Sequence, residues 1–128
     1  MTSLLWIGLG GALGAMGRFS LGSAIFKWLG KDYPYGTLAV NLIGSFAIGM
    51  AYVWLVENNT IGAGSDTQRQ FIMVGFLGAF TTFSTFSLES IALLQQGRTT
   101  AFFTYIALSL IGCLLATALG MILTKQLV

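Results

Sequence analysis

Four long apolar stretches fill almost the whole chain, with three short polar connections between them. They run over about residues 4–28, 35–56, 69–94 and 99–123. An α-helix rises ~1.5 Å per residue, so about 20 residues cross a hydrocarbon core of ~30 Å. Each stretch is long enough for one crossing, and 128 residues leave no room for a separate soluble domain. The sequence predicts an all-α membrane protein in which residues 1–128 form a single transmembrane domain of four helices.

The composition narrows the possible functions. Charged residues make up 8% of the chain, against roughly a quarter in an ordinary soluble domain. Histidine is absent, which removes the usual proton shuttle and metal ligand. Cys113 is the single cysteine, so the chain has no cysteine cluster for zinc and no internal disulfide. We expect a protein of the lipid bilayer that is not an enzyme and, with a thinly spread net charge of +2, has no nucleic-acid partner.

The cationic residues near the ends of the stretches give little information on orientation. With four crossings both termini lie on one side, together with Arg69 and Lys125, while Lys27, Lys31 and Arg98 lie opposite. Lys and Arg near the ends of spans set topology, so two against three favours neither direction. Copies inserted in opposite directions can pair about a two-fold axis in the membrane plane. The sequence therefore favours an antiparallel, dual-topology homodimer.

Arg18 lies deep in the first stretch, where a guanidinium costs ~2.5 to 3.5 kcal/mol and needs water, an anion or a carboxylate. Gly10, Gly14 and Gly22 share its four-residue spacing, so these residues form one seam on a helix. One interpretation is a packing seam in which Arg18 reaches a neighbouring helix or the surface. The other is that Arg18 attracts anions, and the two interpretations are compatible.

The second stretch carries Thr37, Asn41 and Ser45 at the same spacing, and the fourth carries Tyr105 and Ser109. Several polar side chains in register within a membrane helix indicate a wet surface more often than simple helix contact. The Asn41 amide has two possible roles. It donates to an anion, or it holds the backbone of a neighbouring broken helix.

The third stretch combines helix-weakening glycines, Gly75 and Gly78, with a run of hydroxyls. The hydroxyl residues are Thr81, Thr82, Ser84 and Thr85. Unwound backbone inside a membrane is tolerated only where protein buries it or where it lines a cavity. We therefore predict a break in this helix, with freed carbonyls suited to a small hard cation. The alternative is that the glycines only let two helices cross tightly.

Phe80, Phe83 and Phe86 recur every three residues beside these hydroxyls. A phenylalanine stripe normally faces lipid or the core, but the positive edge of an aromatic ring can also stabilise a small anion. Glu89, later in the same stretch, is either a proton carrier or a residue that lies near the membrane surface or pairs with a cation.

Three segments together resemble the Fluc (CrcB) fluoride channels of bacteria. They are GGALGAMGR at residues 10–18, GTLAVNLIGSF at 36–46 and GFLGAFTTFSTF at 75–86. The resemblance implies an antiparallel dual-topology homodimer of four-helix subunits in the bacterial inner membrane. It also implies passive fluoride export through two pores between the subunits, which lowers cytoplasmic fluoride.

The same resemblance implies roles for particular residues. The third helix breaks at its middle, and backbone carbonyls of both subunits hold a buried sodium ion (Na+), with Gly75 and Gly78 at the matching positions. The ring edges of Phe80 and Phe83 line the pores. Other pathway residues implied by the match are Arg18, Thr37, Asn41, Thr81, Thr82, Ser84, Tyr105 and Ser109. Gly112 stands where a further serine of the fourth-helix track is expected.

Two other functions remain open from the residues. A proton-coupled small multidrug exporter is also a four-helix dual-topology dimer, but it needs a carboxylate early in its first helix. This first helix carries Arg18, whose charge has the wrong sign for cationic drugs. The second possibility is an accessory subunit without transport activity of its own.

Overall fold

Four membrane-length helical spans form the fold, in a computed structural model that describes residues 1–58 and 64–128. Helix α1 (Thr2–Leu29) is the first span, and α2 (Tyr35–Tyr52), which continues as a π-helical turn (Val53–Glu57), is the second. The third span consists of α3 and α4 (Phe83–Gln95), and α5 (Thr99–Leu127) is the fourth. Helix α3 has an α-helical start (Gly64–Arg69), a π-helical middle (Gln70–Leu77) and a last α-helical turn (Gly78–Phe80). The predicted four-span, all-α membrane fold is confirmed.

Glycine and proline set the helix ends in the two connections opposite the termini. Gly30 ends α1 with a φ of 79°, and Gly97 follows α4 with a φ of 73°. Both values lie in the left-handed region, which costs glycine nothing. Pro34 precedes the first residue of α2, where its missing N–H is not needed by the helix. These short connections bring the cationic residues of both loops to one end of the molecule.

The third span is broken, as predicted, but the break lies after the glycines. Thr81 and Thr82 adopt extended conformations, with ψ values of 157° and 112°, between α3 and α4. Gly75 and Gly78 remain helical. The glycines thus serve another purpose, because the backbone is interrupted where threonine side chains are available to bond it.

Glycines bring the helices into backbone contact. A Cβ on Gly14 would meet the Phe76 carbonyl carbon at 2.9 Å and also crowd its oxygen, and one on Gly75 would meet the Ile7 carbonyl oxygen at 2.6 Å. Between α2 and α5, a Cβ on Gly120 would meet Met50 N at 3.2 Å. Lipid tails are as apolar as the side chains, so the hydrophobic effect does not hold helices together in a membrane. Small residues allow the close van der Waals packing that does. Gly10 and Gly14 of the α1 seam therefore pack against α3 of the same chain, whereas Gly22 approaches Gly36 of α2.

We expect Gly14→Ala to lower stability by about 1 to 3 kcal/mol, since the added methyl group forces α1 away from α3. Gly8→Ala is the matched control, because a Cβ there meets nothing within 4 Å, and it should be neutral or slightly stabilising. Thermal unfolding of the two purified variants in detergent checks this. Equal melting temperatures would contradict the proposed packing of the seam.

Candidate functional site

A cavity of about 940 Å³ opens at the end of the molecule opposite the termini, between α1, α2 and α4. We call it the main cavity. Arg18 of α1, Thr37 of α2 and Thr82 at the break all line it, together with Thr85 and Glu89 of α4. Of the residues predicted from sequence to line a pathway, Arg18, Thr37 and Thr82 are thus brought together around one space.

The charged side chains are distributed unevenly between the ends of the molecule. Of the six cationic and four acidic residues in the sequence, four cations and two carboxylates line the main cavity. These are Arg18, Lys27, Lys31 and Arg98, with Asp32 and Glu89. The remaining cations pair at the other end, Lys125 Nζ with Glu57 Oε2 at 3.0 Å and Arg69 with Asp66 at 3.8 Å. The entire side-chain net charge of +2 therefore surrounds the main cavity.

Asn41 holds the broken backbone. Its Nδ2 donates to the Thr82 carbonyl at 3.0 Å, and its Oδ1 accepts from the Thr82 N–H at 2.7 Å. Both bonds are buried, so each satisfies a backbone group that would otherwise cost free energy within the membrane. Of the two roles left open by the sequence, the structure therefore shows the backbone role.

Hydroxyl groups from the run at residues 81–85 bond the backbone at the break. Thr82 Oγ1 accepts from Thr85 N at 3.1 Å and so caps α4, while it also lies 3.0 Å from Thr85 Oγ1 and 3.2 Å from Ser84 Oγ. Thr81 Oγ1 donates to the Leu77 carbonyl at 3.1 Å. Since Thr82 and Thr85 also line the main cavity, the positive N-terminal end of α4 faces the cavity.

Glu89 joins three helices through two hydroxyl groups. Thr37 of α2 donates to its Oε1 at 2.8 Å, and Tyr105 of α5 donates to its Oε2 at 2.7 Å. The carboxylate is partly buried on the cavity wall. The sequence singled out all three residues but gave no sign that they meet, because they lie on three different helices.

The break also redirects backbone N–H groups and so releases carbonyls. The Gly75 carbonyl still accepts from the Gly78 N–H. The Thr82 N–H, which would bond the Gly78 carbonyl in a continuous helix, bonds Asn41 instead. Likewise the Thr85 N–H bonds the Thr82 side chain, so the Thr81 carbonyl lacks the donor that it would have in a continuous helix. No acidic, cysteine or histidine cluster suited to a metal occurs in residues 1–58 or 64–128, so a cation in this region would rely on backbone oxygens.

The break separates two of the phenylalanines that the sequence grouped together. Phe80, before the break, is buried and stacks on Phe76 with ring centroids 5.9 Å apart. Phe83, after the break, is 70% exposed and lies 5.2 Å from Phe86. Phe86 in turn meets the Tyr105 ring edge-to-face at 5.2 Å. The structure therefore brings Phe83 together with Phe86 and leaves Phe80 apart.

The remaining predicted residues lie outside the main cavity. Ser84 is exposed beside Phe83. Ser109, one turn after Tyr105, is buried, and its hydroxyl has no hydrogen-bond partner in the described part of the chain. One further turn on, a Cβ at Gly112 would meet Leu42 at 2.8 Å, so the polar side chains of α5 are followed there by apolar contact.

The chain has four spans, and a buried helix break capped by side chains lies beside a cationic cavity. This architecture is that of a small membrane transport protein. Residues 5–121 match the family described as "CrcB-like protein, Camphor Resistance (CrcB)". The chain belongs to the CrcB-like family, as the resemblance in the sequence implied.

Three curated relatives of this chain share the name fluoride-specific ion channel FluC. The protein of Hahella chejuensis is 47% identical over 95% of this chain and 94% of its own length. That of Hydrogenovibrio crunogenus is 45% identical over 98% of this chain and 93% of its own. That of Opitutus terrae is 43% identical over 94% of this chain and 90% of its own.

Asn41→Leu should destabilise the break strongly, because a side chain of similar size leaves the Thr82 N–H and carbonyl unpaired. Each unsatisfied group costs about 1 to 3 kcal/mol. Hydrogen exchange of the Thr82 amide should accelerate while exchange in the middle of α5 is unchanged. Ser87→Ala is the control, since its hydroxyl bonds only the Phe83 carbonyl of its own helix. Slow exchange at Thr82 in the Asn41 variant would refute the role of this amide.

Proposed function

We propose that this protein is a fluoride-selective channel that exports fluoride passively across the bacterial inner membrane and lowers cytoplasmic fluoride. Membership of the CrcB-like family and the names of its relatives support the choice of fluoride. The observation that carries the proposal is the placement of the whole net positive charge around a cavity that ends at a hydroxyl-lined helix break.

The direction of transport follows from acid–base chemistry. Hydrogen fluoride is a weak acid, and its neutral form crosses membranes from an acidic medium. It ionises at cytoplasmic pH, so fluoride accumulates inside the cell. A passive channel for the anion then lets fluoride leave down its own gradient, without an energy source or a chemical step.

The pathway starts at the main cavity. Arg18 and the loop cations raise the local concentration of anions. Hydroxyls of Thr37, Thr82 and Thr85 line the same space. The Thr85 hydroxyl accepts from Thr82 and so keeps its own proton for a small, strongly hydrated anion. Phe83, which is exposed in one chain, offers a ring edge that attracts an anion without a fixed charge, and the buried Phe86 packs against it. Such weak, successive sites allow an ion to leave as readily as it enters.

A second, inverted copy of the chain completes the pathway in this proposal. In one chain Phe83 and Ser84 are exposed, so another surface must cover them if an ion is to be enclosed. The Lys and Arg residues near the ends of the spans are divided two against three, which supplies chains of both orientations. An antiparallel homodimer then has two equivalent pores. Ser109, on the far side of Tyr105, extends the polar side chains of α5.

A structural sodium ion at the dimer centre is a further part of the proposal. The Gly78 carbonyl fits this role, because its helical donor is diverted and the residue is exposed. The Thr81 carbonyl is released in the same way. Gly75, the other ligand implied by the resemblance, is buried against α1, and its carbonyl keeps a helical bond. Oxygen ligands without charge suit a hard monovalent cation, which would fix the two breaks against each other.

Fluoride efflux from liposomes containing the purified protein tests the proposed function. We expect rapid fluoride efflux, little chloride efflux, and a loss of fluoride efflux when sodium is replaced by a bulky organic cation. Empty vesicles are the control. No efflux above that control, or equal fluoride and chloride flux, would contradict the channel. An accessory subunit would likewise give no flux from the pure protein and would copurify with a different chain.

The phenylalanine assignment has its own test. We expect Phe83→Ile and Phe86→Ile each to lower fluoride efflux at least about tenfold, since an aliphatic side chain fills the space without a positive ring edge. Phe80→Ile separates the sequence-based assignment from the structural one, because Phe80 lies on the other side of the break against Phe76. A loss confined to Phe80→Ile and Phe83→Ile would favour the pair predicted from sequence. Wild-type rates in all three would rule out ring edges as the conducting surface.

The names of the relatives do not favour the multidrug exporter. Among the described residues, Glu89 is the carboxylate that lines the main cavity from a membrane-length helical span, and it is bonded by two hydroxyls. Proton-dependent efflux of a cationic drug that Glu89→Gln abolishes would support the exporter against the channel.

A further inference from the structure

Tyr33 lies in the connection between α1 and α2 and forms a wall between two cavities. The main cavity is on one side of it. On the other is a second cavity of about 550 Å³, bounded by Gly97, Arg98 and the first turn of α5. Within residues 1–58 and 64–128, Tyr33 and Arg98 are the two residues that line both spaces. Water in the second cavity is therefore separated from the interior of the site by a thin wall.

The Tyr33 ring packs against Tyr105, one of the two residues that donate to Glu89. It meets the Tyr105 ring edge-to-face, with centroids 5.7 Å apart and planes at 76°. The hydroxyls of Tyr33 and Thr104 lie 3.4 Å apart, across the opening of the second cavity. Tyr105 is completely buried, although cavities lie close to it. Its burial thus depends in part on a side chain of a connection, whereas its other neighbours are fixed on helices.

We propose that Tyr33 is a positioning residue that keeps the water of the second cavity away from the Tyr105 hydroxyl and so preserves the hydrogen bond from Tyr105 to Glu89. A water molecule at that hydroxyl would compete for its proton and for the carboxylate oxygen. The bond is 2.7 Å long and its acceptor is a carboxyl oxygen of Glu89, which itself lines the main cavity. The ring of Tyr33 is the essential part, because its own hydroxyl bond is long and exposed.

Solvent access at Tyr105 provides a test that does not depend on transport. 3-Fluorotyrosine is placed at position 105 alone, and the ¹⁹F chemical shift is compared in H₂O and D₂O. The isotope shift should be near zero in the parent protein. It should rise in Tyr33→Ala and Tyr33→Leu to the value of the same label at position 35, a site that is 40% exposed. Tyr33→Phe should keep the low value because it retains the ring.

Tyr35→Ala is the matched control. It removes an equally large ring from the same region, 5.0 Å from Tyr33, and Tyr35 borders neither cavity. An isotope shift that stays low in Tyr33→Ala, or that rises equally in Tyr35→Ala, would overturn the proposal. If Tyr33→Ala does not fold, Tyr33→Leu provides the same test with an apolar side chain still against Tyr105.

Transport gives a second readout, which rests on the proposed fluoride function. Tyr33→Ala should lower fluoride efflux about tenfold, the smaller end of the effect of losing a hydrogen bond to a charged group. In a Tyr105→Phe background the same change should add less than about twofold, since the hydroxyl that Tyr33 protects is already gone. Losses that multiply in the double variant would mean that Tyr33 does not act through Tyr105. Wild-type protein without fluoride flux would end the proposed function, while the ¹⁹F measurement would still decide the role of Tyr33.

Discussion

The pair of hydrogen bonds between Asn41 and the Thr82 backbone is the interaction on which the rest of the site depends. A break inside a membrane leaves backbone groups that water cannot satisfy, and each costs several kcal/mol in hydrocarbon. Asn41 satisfies two of them with one side chain. Gly44, one turn later on α2, lets the break come this close, because a Cβ there would meet the Phe80 ring at 3.1 Å. The change of direction at Thr82 then carries α4 to the position where Glu89 meets Thr37 and Tyr105.

The charge distribution links folding in the membrane to function. Both cations on the side of the termini are paired with carboxylates, whereas those around the main cavity exceed their acidic neighbours by two. A strong surplus at one end would fix one orientation, but this surplus is modest and includes Arg18, which lies within the span. In the proposed inverted dimer, the same surplus gives each membrane face one anion-attracting cavity. Two copies of the same sequence thereby supply the cavities at both ends of the proposed pathway.

The sequence predicted the spans and the chemistry of the site better than its geometry. Apolar length alone indicated four crossings, and the two extended residues of the break fall within the predicted hydroxyl run. The three-residue spacing of Phe80, Phe83 and Phe86 did not show that Phe80 and Phe83 lie apart within one chain, because this spacing places residues on one face only while the helix is continuous. The Thr37–Glu89–Tyr105 contact was beyond prediction for a different reason. Those residues are separated by 52 and 16 positions, and only the packing of three helices brings them together.

A carboxylate on the wall of the proposed anion pathway lowers the affinity for the anion, which favours conduction over tight binding. Four cations without opposition would hold an anion tightly, and an ion that binds tightly leaves slowly. Glu89 and Asp32 reduce the attraction of the main cavity without reversing its sign. Glu89 also accepts from Thr37 and Tyr105, so an entering anion must compete with a carboxylate for those donors. In the proposed channel, the cations concentrate anions at the cavity, and the carboxylates keep the affinity of any single binding site low enough for the ion to move on.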